Sequence, residues 1–115
     1  MAAKVTRAAS REFTELGPGA NICRDVDPSV STTMSCSIME MENFEFEWTV
    51  LYDEWLYVLD GVLTIELGDG TVDLNPGDSL WLPDGTWHFY HVNKARAVVT
   101  VYPNNWRELK GIDNI

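Results

Sequence analysis

This 115-residue chain is poor in positive charge, with 8 Lys and Arg residues against 18 Asp and Glu residues. The formal net charge is −10 at pH 7 and the pI is about 4.4. A surface this acidic repels phosphate backbones and anionic lipid head groups. We therefore expect neither nucleic acid nor a membrane surface as a partner, whereas a cationic ligand is compatible with the charge.

Cysteine and long apolar runs are also scarce. The two cysteines, Cys23 and Cys36, match no metal-site spacing and do not form a disulfide framework, so we expect both to be reduced structural residues. The first residues lack the apolar core of a signal peptide, and no apolar stretch approaches the roughly 20 residues of a membrane span. These absences predict a cytoplasmic protein.

The residues that are present are those of one globular domain. Hydrophobic residues make up 45% of the chain, an ordinary globular proportion. The length suits a single domain that can bury a core without a disulfide or a metal.

Alternation of polar and apolar residues gives the clearest structural pattern, over residues 45–54. Successive side chains of a strand point to opposite faces of its sheet. The pattern predicts one strand that carries on one face Phe46, Trp48, Val50, Tyr52 and Glu54.

Turn residues separate the other apolar segments. With spacings of about 8–12 residues they predict roughly seven or eight short strands, an all-β sandwich or barrel. Short helices are expected near residues 10–16 and at 105–110, the second ended by Gly111. The predicted turns are Asp60-Gly61, Gly68–Gly70, Asn75–Asp78 and Pro83–Gly85.

Two segments resemble the sequence motifs of the cupins. In the first, Glu54 is followed after six residues by Gly61. In the second, Gly77 is followed at the family's spacing by Pro83, Gly85 and His88. The resemblance implies a cupin jelly roll, also called a double-stranded β-helix.

The first motif departs from that of the metal-binding cupins, which carry His-x-His shortly before the glutamate. Trp48 and Val50, or else Glu47 and Thr49, occupy those positions here. Strand alternation favours the first pairing, because Trp48 and Val50 share the face of Glu54.

Only Glu54 and His88 then remain as possible metal ligands, and two protein ligands make a weak site for a divalent ion. We therefore predict no metal ligands and no cofactor. The alternative is a divalent metal whose coordination shell is completed by Glu47, Tyr52 or water.

The segment FEWTVLYDEWLYVLDG and the later VYPNNW resemble the ethanolamine-utilisation EutQ family and its single-domain cupin relatives. The likeness runs from about residue 20 to Trp106. It implies a bacterial, usually dimeric cupin with few metal-binding histidines, tied to amine catabolism and associated with acetate kinase activity. No glycine-rich phosphate loop with Lys-Ser/Thr accompanies that association here. We expect residues 1–19 to form an arm, 20–106 the barrel and 107–115 a tail.

Five residues are predicted to form the site. Glu54 is expected to act as base or cation partner, because burial among aromatic rings raises a carboxyl pKa. His88 is expected to act as acid or hydrogen-bond donor. Trp48, Tyr52 and Tyr90 are predicted to contact a ligand; the alternative for all five is ordinary packing with satisfied polar groups.

Other aromatic residues are expected to face outward. His91 has the opposite strand parity to His88. Trp55, Tyr57 and Trp81 have the opposite parity to their inward neighbours, and such residues predict a homodimer face.

Three functions follow as hypotheses. The first is a EutQ-like cupin that binds a small molecule and performs metal-independent acid–base chemistry with Glu54 and His88. The second is a metal-dependent cupin lyase, isomerase or dioxygenase. The third is a non-catalytic assembly or accessory protein, so the sequence leaves open whether the chain is an enzyme.

Overall fold

A computed structural model describes residues 3–112, which form an almost entirely antiparallel β structure. The all-β prediction is therefore confirmed. A short 3-10 turn spans Ala8–Ser10. The other elements are β1 Thr14–Gly17, β2 Ala20–Val26, β3 Ser35–Thr49, β4 Asp53–Leu67, β5 Gly70–Leu74, β6 Ser79–Leu82, β7 Trp87–Tyr102 and α1 Trp106–Lys110.

Three long strands form the frame of the barrel. β3, β4 and β7 have 15, 15 and 16 residues and lie side by side with β7 in the middle. Along β7 the buried positions are Val99, Ala97 and Ala95 in one half but Val92, Tyr90 and His88 in the other. This change of parity means that each half presents a different set of side chains to the interior.

The two halves of the long strands contribute to two layers. In the first layer, β2 pairs with residues 36–41 of β3, and β6 pairs with residues 54–57 of β4. In the second layer, β5 pairs with residues 63–67 of β4. A side-chain hydrogen bond from Tyr90 of the second layer to Glu54 of the first connects the two layers across the interior.

A bend joins the two layers, and Gly61 is the residue that permits it on β4. Its φ is +74°, and a Cβ at this position would collide with the backbone carbonyl of Lys94 on β7. The prediction of a turn between two strands at Asp60-Gly61 is therefore wrong. Glycine serves here as the bend of one continuous strand, because only a residue without Cβ fits the close approach. The segments 87–92 and 95–102 likewise belong to one strand.

The predicted strand over residues 45–54 is also interrupted. β3 ends at Thr49 and β4 begins at Asp53. Between them Val50 is fully buried and forms two backbone hydrogen bonds with the 83–86 turn, to Thr86 O and from Gly85 N. The alternation of polar and apolar residues continues across this turn, so the sequence pattern does not reveal that β3 ends at Thr49.

At the amino-terminal end the expected helix near residues 10–16 is wrong. Thr14–Gly17 instead forms β1, which pairs with β2 and so extends the sheet. Sheet pairing overrides a weak local helix preference. Residues 14–17 of the predicted arm are thus part of the sheet.

At the carboxyl-terminal end the helical turn is confirmed, with Gly111 at φ +67° as its left-handed cap. The predicted boundary between barrel and tail falls inside α1. Residues 1–2 and 113–115 of the predicted arm and tail lie outside the described residues. The α-helix found among residues 3–112, α1, has 5 residues and is too short to span a bilayer.

The core lies at the bend, where the two layers join. Its members include fully buried aliphatic residues from both layers, with exposures of 0–4%. They are Met41, Val58, Leu63, Ile65, Val92 and Ala95. At the opposite, open end of the barrel the interior carries polar and aromatic side chains instead.

Candidate functional site

Glu54 is the buried carboxyl group of the barrel interior. Its side chain points inward near the start of β4 and is 5% exposed. The Tyr90 hydroxyl donates a hydrogen bond to Oε2 at 3.4 Å. Burial raises the pKa of Glu54 to about 7, and the Tyr90 hydrogen bond opposes this shift in part. Near neutral pH the group can therefore both release and accept a proton.

His88 lies next to this pair on β7. The imidazole is 1% exposed, and its Nδ1 has no hydrogen-bond partner among residues 3–112. Burial lowers the pKa of His88, although the Thr86 backbone carbonyl opposes the shift. That carbonyl makes no hydrogen bond to Nδ1. His88 is therefore a neutral imidazole at neutral pH, and its Nδ1 is a buried polar atom without a hydrogen-bond partner in the described chain.

Tyr90 connects the two groups. Its ring lies edge-on to the His88 imidazole, with centroids 4.8 Å apart, while its hydroxyl reaches Glu54. Burial, followed by the nearby Glu54 charge, raises the pKa of Tyr90 well above its ordinary value. The hydroxyl thus stays protonated and remains a donor to the carboxylate.

Trp48 and Tyr52 form the neighbouring wall. Trp48 is the cross-strand partner of His88. Its Nε1 donates a hydrogen bond to the Tyr52 hydroxyl at 3.3 Å, and the Tyr52 ring packs on Trp106 at 5.2 Å. Burial raises the pKa of Tyr52 to about 12. The structure thus joins Glu54, His88 and Tyr90 directly and places Tyr52 behind Trp48, although Tyr52 lies in a loop rather than on the predicted strand.

Two phenylalanines extend this wall, and the sequence reasoning did not assign them to the site. Phe44 stacks on Phe46 at 5.8 Å, and Phe46 stacks on Trp48 at 6.0 Å. Phe46 is the cross-strand partner of the inward Tyr90, yet it is 42% exposed. The inner face of β3 is therefore partly exposed to solvent at Phe46. The alternation that placed Phe46 on the face of Trp48 was the available signal.

Other aromatic residues face away from the interior, as predicted. His91 is exposed and lies 3.9 Å from Glu45 across the outer surface. Trp55 and Trp81 are 40% and 57% exposed, and Trp55 stacks on Tyr57 at 5.7 Å.

The donor set does not fit a metal centre. Among residues 3–112 no group of three His, Cys, Asp or Glu side chains is placed to hold an ion. Glu47, considered from the sequence as an extra ligand, accepts a hydrogen bond from Trp87 Nε1 at 2.7 Å on the outer face. Trp48 lies where a second interior ligand would be needed.

A surface cavity of about 760 Å³ lies at the bend, outside the barrel and away from the five predicted residues. Arg96 and Glu40, which line it, are paired at 3.4 Å, and their side chains are partly exposed. Its lining carries charges of both signs, among them Glu42 and Lys94.

Comparison with known proteins identifies the family. Residues 6–108 match the model of the family described as ethanolamine utilisation protein EutQ. This chain belongs to the EutQ family. The likeness thus covers almost all of the described structure, including both strands that carry Glu54 and His88.

One curated relative is the protein named acetate kinase EutQ from Clostridioides difficile strain 630. It is 35% identical over 77 residues, which are 66% of this chain and 49% of that protein. The chain therefore spans about half the length of this EutQ relative.

Solved structures confirm the cupin fold. An ethanolamine utilisation protein Q from Salmonella typhimurium LT2 matches with a TM-score of 0.78 and 26% identity, covering 90% of this chain and 88% of that one. An RmlC-like cupin from Shewanella frigidimarina NCIMB 400 matches with a TM-score of 0.75 and 14% identity, covering 89% and 92%. The second likeness concerns the fold alone.

Proposed function

We propose that this EutQ-family chain is a cytoplasmic bacterial cupin that binds a small molecule at the open end of its barrel. Glu54 and His88 act there as an acid–base pair without a metal. The observation that carries the proposal is the buried Glu54 carboxyl, held by Tyr90 beside an imidazole nitrogen that has no partner within the described chain. Buried polar groups are normally paired, and those left unpaired frequently mark functional sites.

The roles of the residues follow from their environments. Glu54, with its pKa raised to about 7, takes a proton from the ligand and can return it. His88 meets the ligand through Nδ1 as donor or acceptor, according to its tautomer. Tyr90 positions the carboxyl group. Trp48 forms an aromatic wall, and Tyr52 orients the indole through its hydrogen bond. The unsuitable donor set for a metal supports metal independence.

The test is a nuclear magnetic resonance titration of the protein with a panel of small cationic, neutral and anionic fragments. Binding at the site should shift the Trp48 indole and His88 ring resonances. Glu54→Gln should weaken the bound fragments at least tenfold, as expected when a charged hydrogen-bond partner is lost. Glu47→Gln, an equal change of charge on the outer face of β3, should leave them unchanged.

Fragments that bind only outside the barrel, or bind equally well to Glu54→Gln, would refute the proposed site. Elemental analysis of the native protein adds an independent check on the chemistry. Near-stoichiometric metal that is lost in His88→Ala would overturn metal independence and support the second hypothesis, a metal-dependent cupin.

Acetate kinase activity is a second candidate, favoured by the name of the curated EutQ relative. The reaction would transfer the terminal phosphoryl group of ATP to an acetate oxygen and release ADP. The interior gives it little support, because the buried polar and charged residues of the described chain are Ser37, Glu54 and His88. An assay of acetate-dependent ADP release decides the matter, and turnover abolished in His88→Ala would establish this candidate.

We also propose that the chain is a homodimer, paired through the outer aromatic face of the first layer. Trp55 and Trp81 are cross-strand partners there, and they are 40% and 57% exposed. Exposed apolar patches of this kind usually mark interaction sites. Trp81→Ser should shift the mass measured by light scattering from two chains to one, whereas Phe89→Ser on the second layer should not. A monomeric native protein would overturn the dimer.

A further inference from the structure

We propose that the open end of the barrel selects a small organic ammonium ion, bound between the Phe44–Phe46–Trp48 ring ladder and the Glu54 carboxylate. This inference rests on the proposed function and names the ligand class of the same site. It follows from three features of the interior: its aromatic wall, its unpaired acceptors and the absence of a buried cation among the described residues.

The wall is a run of three rings on alternate positions of β3. Successive rings are near-parallel, at 21° and 24°, with centroids about 6 Å apart. Phe46 is 42% exposed and Trp48 is partly exposed, so part of each side chain is accessible to solvent. The face of an aromatic ring attracts a cation within about 6 Å of the ring centroid, and the attraction is stronger for Trp than for Phe.

The floor offers acceptors that lack donors. The Glu54 carboxyl receives one long hydrogen bond, from the Tyr90 hydroxyl, and a carboxylate can accept several. His88 is 1% exposed, and its Nδ1 has no partner in the described chain. A primary ammonium group brings three N–H donors and a positive charge. It can therefore donate hydrogen bonds to a carboxylate and to a neutral imidazole at the same time. An alcohol or a carboxylic acid has fewer donors and no positive charge.

The charges around Glu54 do not already satisfy it. From β7 it faces Tyr90, with His88 beyond, and from the loop before β4 it faces Tyr52. The nearest cation on the far side of Tyr52 is Arg107, whose guanidinium lies over the Trp106 ring at 4.2 Å. No buried residue among positions 3–112 is a lysine or an arginine. Burial without a cation is the reason that the pKa of Glu54 is raised, and a bound ammonium ion would reverse that cause.

Three probes of matched size test the inference: propylammonium, 1-propanol and propanoate. Each is titrated into the full chain while the Trp48 indole N–H resonance is followed. Propylammonium should bind at least tenfold more tightly than either other probe. Its affinity should rise about tenfold from pH 6 to pH 8, because Glu54 becomes ionised over that interval while the ammonium stays protonated.

Two matched pairs of variants locate the binding. Phe46→Leu should weaken propylammonium at least threefold, whereas Phe89→Leu, on the outer face, should not. Glu54→Gln should remove the pH dependence and most of the preference over 1-propanol, while Glu47→Gln should retain both.

The outcomes separate the ligand class from the site. In one outcome, propanoate or 1-propanol binds at Trp48 as tightly as propylammonium, and Glu54→Gln weakens that binding. This result would refute the preference for an ammonium ion and leave the proposed function intact. Propylammonium binding that no interior variant alters would overturn the ammonium site. If no probe shifts the Trp48 resonance and no fragment binds the interior, both the ammonium preference and the proposed function are wrong.

Discussion

The two ends of the barrel interior differ in what they bury. At the bend, Leu63, Ile65 and Val58 are fully buried among other aliphatic side chains. At the open end, Glu54 and His88 are nearly as buried, but they carry polar atoms with few partners. Burying a polar group without a hydrogen-bond partner destabilises the folded state, whereas burying an aliphatic group stabilises it. Packing at the bend therefore stabilises the fold. This stability offsets the cost of burying Glu54 and His88 at the open end.

The largest effect should come from the bend glycine. Gly61→Ala places a Cβ against the Lys94 carbonyl in a strand that already has φ +74°. We expect a loss of about 4 kcal/mol or more in the free energy of unfolding, measured by urea denaturation, because backbone must move as well as adopt a strained conformation. Gly68→Ala, where nothing lies within 4 Å, is the control. Similar losses in both variants would show that the bend is not held by this close approach.

A core truncation at the bend should cost more than a truncation at the open end. Leu63→Ala removes fully buried methyl groups and should lower the free energy of unfolding by about 3 kcal/mol. Phe46→Leu alters a side chain that is 42% exposed and should cost less than about 1 kcal/mol. The same denaturation experiment measures both. If Phe46→Leu costs as much as Leu63→Ala, the open end is part of the packed core and the contrast fails.

The pH dependence of stability should distinguish the open end. The pKa of Glu54 is raised from 4.5 to about 7 in the folded protein. Between these values the folded state keeps a proton that the unfolded chain has released, so the contribution of Glu54 to stability falls as pH rises. Glu54→Gln lacks this loss. We expect the variant to gain about 3 kcal/mol on the native protein between pH 4.5 and pH 8.

The difference between the two denaturation curves is the quantity to follow. The opposite contribution of His88, whose pKa is lowered, is present in both proteins and largely cancels. A difference that stays constant with pH would mean that Glu54 is ionised normally in the folded state.

The smallest effect should come from the outer histidine. His91 is exposed, and its Nδ1 lies 3.9 Å from a carboxylate oxygen of Glu45, a long distance for an ion pair. His91→Gln should change the free energy of unfolding by less than about 0.5 kcal/mol, because exposed ion pairs contribute little. The companion variant His88→Gln should alter ligand binding as well. Thermal unfolding and the propylammonium titration, run on both variants, would show whether the inside and outside of β7 differ as expected.

Strand parity explains how much of the site could be predicted. Alternation within a strand is set by backbone geometry, so the outward placement of His91 and the common face of Phe46 and Trp48 were predictable. The cupin motif spacing also identified Glu54 and His88 before their contacts were known. Parity did not reveal the turn at Val50 and Tyr52 or the bend at Gly61, because both depend on pairing with distant segments.

The sequence by itself determined an acidic all-β chain, its motif residues and its membership of a known family, because composition, alternation and spacing are local properties. Only the tertiary structure decided that β4 bends at Gly61 rather than turning, and that Tyr90 links Glu54 to His88. It also decided that Phe46, on the inner face of β3, is partly exposed. These features arise from contacts between residues far apart in the sequence, such as Glu54 and Tyr90, which are 36 positions apart. Close packing across such separations is not encoded in any local pattern.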